Sequence, residues 1–239
     1  TNWSDGKENG LETGWYEKGQ KNYEKTYKNG ELDGLSTYWY ENGQKSYEIS
    51  YKDDKKDGKW TEWYGNGQKE SETNWSDGKV DGLSTYWYEN GQKSYEISYK
   101  DDKKDGKWTE WYGNGQKESE TNWSDGKEDG LTTRWYENGQ KRIETNWSDG
   151  KENGLETGWY ENGQKNYEKT YKNGELDGLY NEWYENGKKR SRGNYKDGVE
   201  DGLWTYWYEN GKKYPKIEYK DGKWTEWYRN GQKESETNW

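Results

Sequence analysis

The 239 residues carry 38 Lys and Arg against 48 Asp and Glu, a formal net charge of −10, with no Cys, His, Met, Phe or Ala and a single proline, Pro215. Without Cys there is no disulfide framework and no thiolate nucleophile, and without His there is no imidazole base or imidazole metal ligand. No basic stripe suits a nucleic-acid or anionic-membrane surface, and no apolar run is long enough for membrane insertion.

A hydrophobic fraction of 25% with 36% charged residues is a composition typical of disorder, but 19 Trp and 25 Tyr run against it. Each such ring can bury roughly 150–250 Å² while keeping a polar handle. The expectation is an ordered chain with a thin core.

From the N-terminus onward the dominant signal is repetition. A Trp-Tyr dipeptide recurs at Trp15, Trp39, Trp63, Trp87, Trp111, Trp135, Trp159, Trp183 and Trp207, always 24 residues apart, and a tenth copy at Trp227 follows after only 20. Each is followed by a turn such as Asn42-Gly43 or Asn66-Gly67 (Lys18-Gly19 in the first copy), and twelve residues after each Trp stands another aromatic, Tyr27 through Trp239. A second turn region follows, as in Asp77-Gly78 with Asp81-Gly82. Asp33–Lys79 recurs unchanged as Asp81–Lys127, and Thr1–Glu17 as Thr145–Glu161. The chain opens and closes on the same Thr-Asn-Trp tail, which suggests one continuous array over 1–239 cut from a longer one.

Segments such as Leu35–Tyr40 are short, β-branched and aromatic, and are bounded by turn residues, so each unit reads as a β-hairpin. Asn-Gly supplies the positive φ angles of a type I′ turn. The predicted fold is all-β, an elongated single-layer or curled sheet of about ten consecutive hairpins, on the order of 95 Å long at roughly 4.8 Å per strand. A two-residue loop at Asn42-Gly43 would set Glu41 opposite Gln44, Tyr40 opposite Lys45, Trp39 opposite Ser46 and Thr37 opposite Glu48. One face would then carry Leu35, Thr37, Trp39 and Glu48, and the other Tyr38, Tyr40, Tyr47 and Ile49. The structural ladder is expected in Trp15, Trp39, Trp63, Trp87, Trp111, Trp135, Trp159, Trp183, Trp207 and Trp227. The candidate aromatic binding surface is Tyr16, Tyr40, Tyr64, Tyr88, Tyr112, Tyr136, Tyr160, Tyr184, Tyr208 and Tyr228.

Units such as Asp81–Lys93 resemble the MORN repeat in its bacterial variant, found in YwqK-type antitoxin-annotated proteins, with the pattern D-G-x-x-x-x-W/Y-Y-x-N-G-x-x-x-x-E. The resemblance implies an elongated sheet of hairpins serving as a scaffold rather than a catalyst. The lack of Phe, the short last unit, and Lys45, Lys69 and Lys93 where such repeats often carry an apolar residue depart from the pattern.

The chemical alternatives are weaker. Glu48, Glu72, Glu96 and Glu120 recur once per unit and read as solvated or Thr-paired strand residues, so no catalytic residue is assigned. Asp53–Gly58 lacks the alternating oxygens and distal Glu of a calcium loop and reads as a solvated turn, and no metal or cofactor is expected. Asn2, Asn74, Asn122 and Asn146 sit in Asn-Trp-Ser, a formal glycosylation sequon that here belongs to the repeat. The function expected is a non-catalytic scaffold for a protein partner or for copies of itself, with a bacterial cell-surface or extracellular setting preferred over a cytoplasmic one. Two other readings stand beside it. Gly14-Trp15-Tyr16 and Gly158-Trp159-Tyr160 are faintly similar to the aromatic repeats of choline- and glucan-binding wall proteins, which makes a carbohydrate-binding module an alternative. Edge strands that pair without closing would make a self-assembling filament.

Overall fold

The computed structural model describes residues 2–214, 216–220, 223–228 and 232–238. They fall into two compact units, residues 1–116 with 123–126 and residues 117–122 with 127–239. Each unit is an antiparallel sheet in which consecutive strands pair, and the described residues contain no helix. The turn Asn230-Gly231 and the terminal Trp239 lie outside the described residues.

The second hairpin of the first unit shows how the sequence produces this. Strands Gly34–Trp39 and Lys45–Lys52 pair with Thr37 opposite Glu48, Tyr38 opposite Tyr47 and Ser36 opposite Ile49. That is the register expected for the body of the hairpin, but not at its loop. There Trp39 faces Lys45, so Ser46 is an extra residue, and Tyr40 and Glu41 belong to the loop. The amide of Gly43 donates to Tyr40 O at 2.9 Å, and the amide of Tyr40 donates to Gln44 O at 2.8 Å. Only Gly43 takes a positive φ (84°); Asn42 does not, and its Oδ1 instead accepts from the Gln44 amide at 3.0 Å. The loop is therefore a type I turn closed by a left-handed glycine, not the type I′ turn expected. A side-chain cap on the backbone lets Asn42 remain right-handed.

The type I′ geometry sits at the opposite end of the sheet. Asp53 and Asp54 (φ 48° and 63°), Asp77 and Gly78 (49° and 83°), and Asn173 and Gly174 (54° and 91°) are consecutive left-handed pairs. Beyond this turn the register slips: Ile49 pairs with Trp60, whereas Tyr51 pairs with Lys56, which leaves Asp57 and Gly58 as a bulge.

Pairing and alternation sort the side chains onto two faces. One carries Leu35, Thr37 and Glu48, and across the next pairing Thr61. The other carries the ring-to-ring contacts: Tyr38 stacks on Tyr47 at 4.1 Å, Tyr47 meets Trp60 at 6.1 Å, and Trp60 meets Trp75 at 5.9 Å. The identical later copy repeats the pattern through Tyr86, Tyr95, Trp108 and Trp123. On this ring face lie the buried apolar side chains, Ile49, Ile97 and Trp204. Buried hydroxyls, among them Ser36, Ser84, Thr37 and Thr85, make up most of the remaining interior.

Where a large ring crosses the neighbouring strand, that strand carries a glycine. A Cβ on Gly193 would lie 2.1 Å from the Trp204 indole. Gly193→Ala is expected to destabilise the second unit by about 1–3 kcal/mol, since an inserted methyl displaces a packed ring. Thermal unfolding that matches the parent protein would refute this packing account.

Candidate interaction surface

The conserved Trp-Tyr pair acts between repeats. The Tyr16 hydroxyl donates to the carbonyl of Trp39 at 2.7 Å, and Tyr40 does the same to Trp63 at 2.8 Å, Tyr64 to Trp87 at 2.7 Å and Tyr88 to Trp111 at 2.8 Å. In the second unit Tyr136, Tyr160 and Tyr184 reach Trp159, Trp183 and Trp207 at 2.7–2.9 Å. Tyr112 is also engaged. Tyr208 sits before the shortened connection and stacks on Tyr214 at 3.7 Å instead. Tyr228 is largely exposed. Most of the tyrosines expected to form an open binding surface thus spend their hydroxyl on the following repeat. Tyr16 and Tyr40 additionally line a cavity of about 370 Å³ with Glu62 and Glu70.

Several of the matching tryptophans meet lysines. Lys21 lies 5.0 Å from the Trp39 ring centre, Lys45 5.4 Å from Trp63, Lys69 5.7 Å from Trp87 and Lys93 5.6 Å from Trp111, each a cation over the tryptophan of the next repeat. The same lysines pair with the recurrent glutamates: Lys45 with Glu48 at 2.5 Å, Lys69 with Glu72 at 2.8 Å and Lys93 with Glu96 at 3.0 Å. Thr37 donates to Glu48 and Thr85 to Glu96, both at 3.3 Å. The lysine that departs from the family pattern is therefore a working part. It holds a carboxylate in its own repeat and caps a ring in the next. Trp15 is 62% exposed.

At the other end of the strands the turns are clipped repeat to repeat. The amide of Leu32 donates to Asp54 Oδ1 at 2.7 Å and the amide of Asp54 returns the bond to Leu32 O at 3.0 Å; Val80 and Asp102 repeat this. Asp53–Gly58, read as a solvated turn, thus contains two carboxylates engaged by backbone amides, Asp54 by Leu32 and Asp57 by Asp77 at 3.4 Å. Among the described residues no cluster of acidic side chains has metal-ligand geometry.

What remains outward on the threonine face is a row that the sequence reading did not single out as a surface. Leu11, Leu35, Leu83, Leu131, Leu155, Leu179 and Leu203 stand four residues before the conserved Trp and are 39–51% exposed. In the first unit the row is interrupted by Lys59 and Lys107 at the same repeat position. In the second, Leu131, Leu155, Leu179 and Leu203 follow one another without a break, on alternate strands roughly 9.5 Å apart. The signal was present in the sequence as the Leu of Asp-Gly-Leu, but a leucine reads as core until its exposure is known.

The MORN repeat variant matches residues 32–53, 56–77, 80–101, 104–125, 128–149, 152–173, 176–197, 200–221 and 220–239. These are nine of the ten units counted from Trp-Tyr; the unit before residue 32 is unmatched yet forms the same paired strands. No curated protein sequence matches the chain. Among solved structures, a chain in "Crystal Structure of TcdB2-TccC3" is similar at 10% identity and a TM-score of 0.23; the match covers 96% of this chain and 16% of that one. A likeness at that level carries no argument about fold or function.

Tyr64→Phe is expected to lower stability by about 1 kcal/mol, because the Trp87 carbonyl loses its donor, with a fall in Tm of about 2–4 °C. Unchanged Tm would show that the bond contributes nothing. Burial, then the adjacent Tyr86, pushes the Tyr95 hydroxyl well above the ordinary tyrosine range, and burial followed by Glu200 pushes Tyr195 up to about 12. A raised tyrosine pKa means that the fold favours the neutral hydroxyl. Its stabilisation is complete below the unfolded value of about 10 and is lost as pH rises through the folded value. Tyrosinate absorbance is therefore expected to rise in two stages, the later one coinciding with unfolding at alkaline pH. A single transition near pH 10 with the sheet intact by circular dichroism would contradict this.

Proposed function

The chain belongs to the MORN repeat variant family, and on that premise we propose that it is a non-catalytic scaffold that docks a protein partner on its threonine–leucine face. The observation that carries this reading is the unbroken run Leu131, Leu155, Leu179 and Leu203, each 39–51% exposed in a chain otherwise sparing with aliphatic residues. Exposed leucines at a regular interval give apolar anchors, and the Lys–Glu pairs beside them supply a polar rim. Charged groups here are occupied with structure: the glutamates hold threonines and lysines, and the lysines cap rings. The partner that suits this surface presents apolar side chains in a matching row.

Substituting these leucines removes anchors without opening a cavity, so the fold is expected to survive. The prediction compares capture by the immobilised full chain with capture by L155E/L179E and by L35E, which lies in the interrupted run. A protein retained by the parent should fall at least tenfold with the double variant and change little with L35E. Equal retention by all three would refute the docking face, and a glycan-array signal left unchanged by L155E/L179E would favour the carbohydrate alternative.

A further inference from the structure

On the ring face, at the turn end of the strands, the repeats build boxes of aromatic side chains, and two of them already hold a cation. In one, Lys56 pairs across the sheet with Tyr51 and places its ammonium 3.5 Å from the Trp60 ring centre and 4.3 Å from that of Trp75. In its identical copy Lys104 lies 3.6 Å from Trp108 and 4.3 Å from Trp123. The molecule thus shows what these walls accept: a positively charged nitrogen over two ring faces, partly removed from water.

Six repeats after Tyr51, Lys56, Trp60 and Trp75 come Tyr195, Glu200, Trp204 and Tyr219. The pairing is conserved, with Tyr195 opposite Glu200 and Gly202 opposite Tyr219. The rings of Tyr195 and Tyr219 stand at 87° and 74° to the buried Trp204 indole, at 5.3 and 6.1 Å, as two walls on a floor. The next strand adds Trp224, opposite Tyr219. Trp204 is buried behind the cavity of about 340 Å³ that Tyr195, Glu200, Tyr219 and Trp224 line together with Gly198, Val199 and Thr237. That volume lies at the small-molecule end of ordinary ligand sites, roughly 300–1,000 Å³.

What differs is the charge. The residue that is a lysine in the two filled boxes is a glutamate here. Three other units also carry Glu at this position, Glu8, Glu128 and Glu152. The Glu128 unit has Thr132 where the Glu200 unit has Trp204. The other two have a lysine on the neighbouring strand, Lys25 and Lys169, whose ammonium lies over its own ring pair. In the Glu200 unit the corresponding residue is Ile217. Among the described residues no lysine or arginine forms an ion pair with Glu200.

We propose that the Tyr195–Glu200–Trp204–Tyr219–Trp224 box is a binding site for an alkylated ammonium group, the rings taking the alkyl-bearing cation and Glu200 neutralising it. An alkylated nitrogen suits the site better than a bare ammonium or a metal ion: its charge is spread over apolar surface, so it sheds water easily and matches ring faces. The inference is independent of the leucine face, which lies on the opposite side of the sheet.

The test is calorimetric titration of the full chain with choline, with N-acetyl-trimethyllysine amide, and with 3,3-dimethylbutan-1-ol, which replaces the charged nitrogen of choline by carbon. The two cations represent the free-molecule and peptide sources of the same chemistry. At least one should bind with a stoichiometry of one, and the neutral isostere at least tenfold more weakly than choline. E200Q should weaken cation binding at least tenfold. E200K should abolish it while keeping or raising Tm, because the new ammonium takes the place held by Lys56 and Lys104 in their boxes. Equal binding of choline and the neutral alcohol, cation binding undiminished in folded E200K, or no heat from either cation at millimolar concentration would overturn the proposal.

Discussion

Within each unit, successive repeats are joined by a tyrosine hydroxyl that donates to the backbone carbonyl of the following tryptophan, from Tyr16 to Tyr88 and from Tyr136 to Tyr184. This bond decides much of the rest. It fixes the tyrosine at the loop end, so that the neighbouring tryptophan lies where the lysine of the preceding repeat can cap it. The lysine in turn is held by a glutamate and the glutamate by a threonine. A chain with so few aliphatic residues has no deep core to rely on. It substitutes a series of short polar links within strands and between neighbouring strands and repeats. Such links are individually worth about 1 kcal/mol or less, and only their repetition makes them sufficient.

Sequence reasoning reached the repeat, the hairpins and the register of the strand bodies, because these follow from spacing and alternation. Thr37 opposite Glu48 is a consequence of counting from the turn. The turn itself was less legible. Asn-Gly fits both a type I′ loop and a type I loop closed by glycine, and the choice rests on the Asn42 side chain capping the Gln44 amide. Since the extra residue at Ser46 restores the count, the error at the loop leaves the strand register unchanged.

The site was legible in composition but not in arrangement. The recurrent Trp and Tyr announced an aromatic protein, yet the rings that touch one another are Tyr38, Tyr47, Trp60 and Trp75, from positions that vary between repeats. Most members of the recurrent Trp-Tyr pair make backbone or lysine contacts instead, and Tyr208 stacks on Tyr214. A substitution such as Lys56 to Glu200 looks like surface variation in a polar chain. Only the cross-strand pairing with Tyr51 and Tyr195 places both residues between rings, where their opposite charges have opposite meanings.

The unchanged copies bring in an evolutionary dimension. Asp33–Lys79 and Asp81–Lys127 are the same sequence, and each contains complete donors and acceptors for its own neighbours. A recombination that joins one copy to the other would excise or add a two-hairpin module, and the strands on either side of the junction would meet the same residues as before. The array can therefore change its number of repeats in one genetic step, with no intermediate in which an interface must be reinvented.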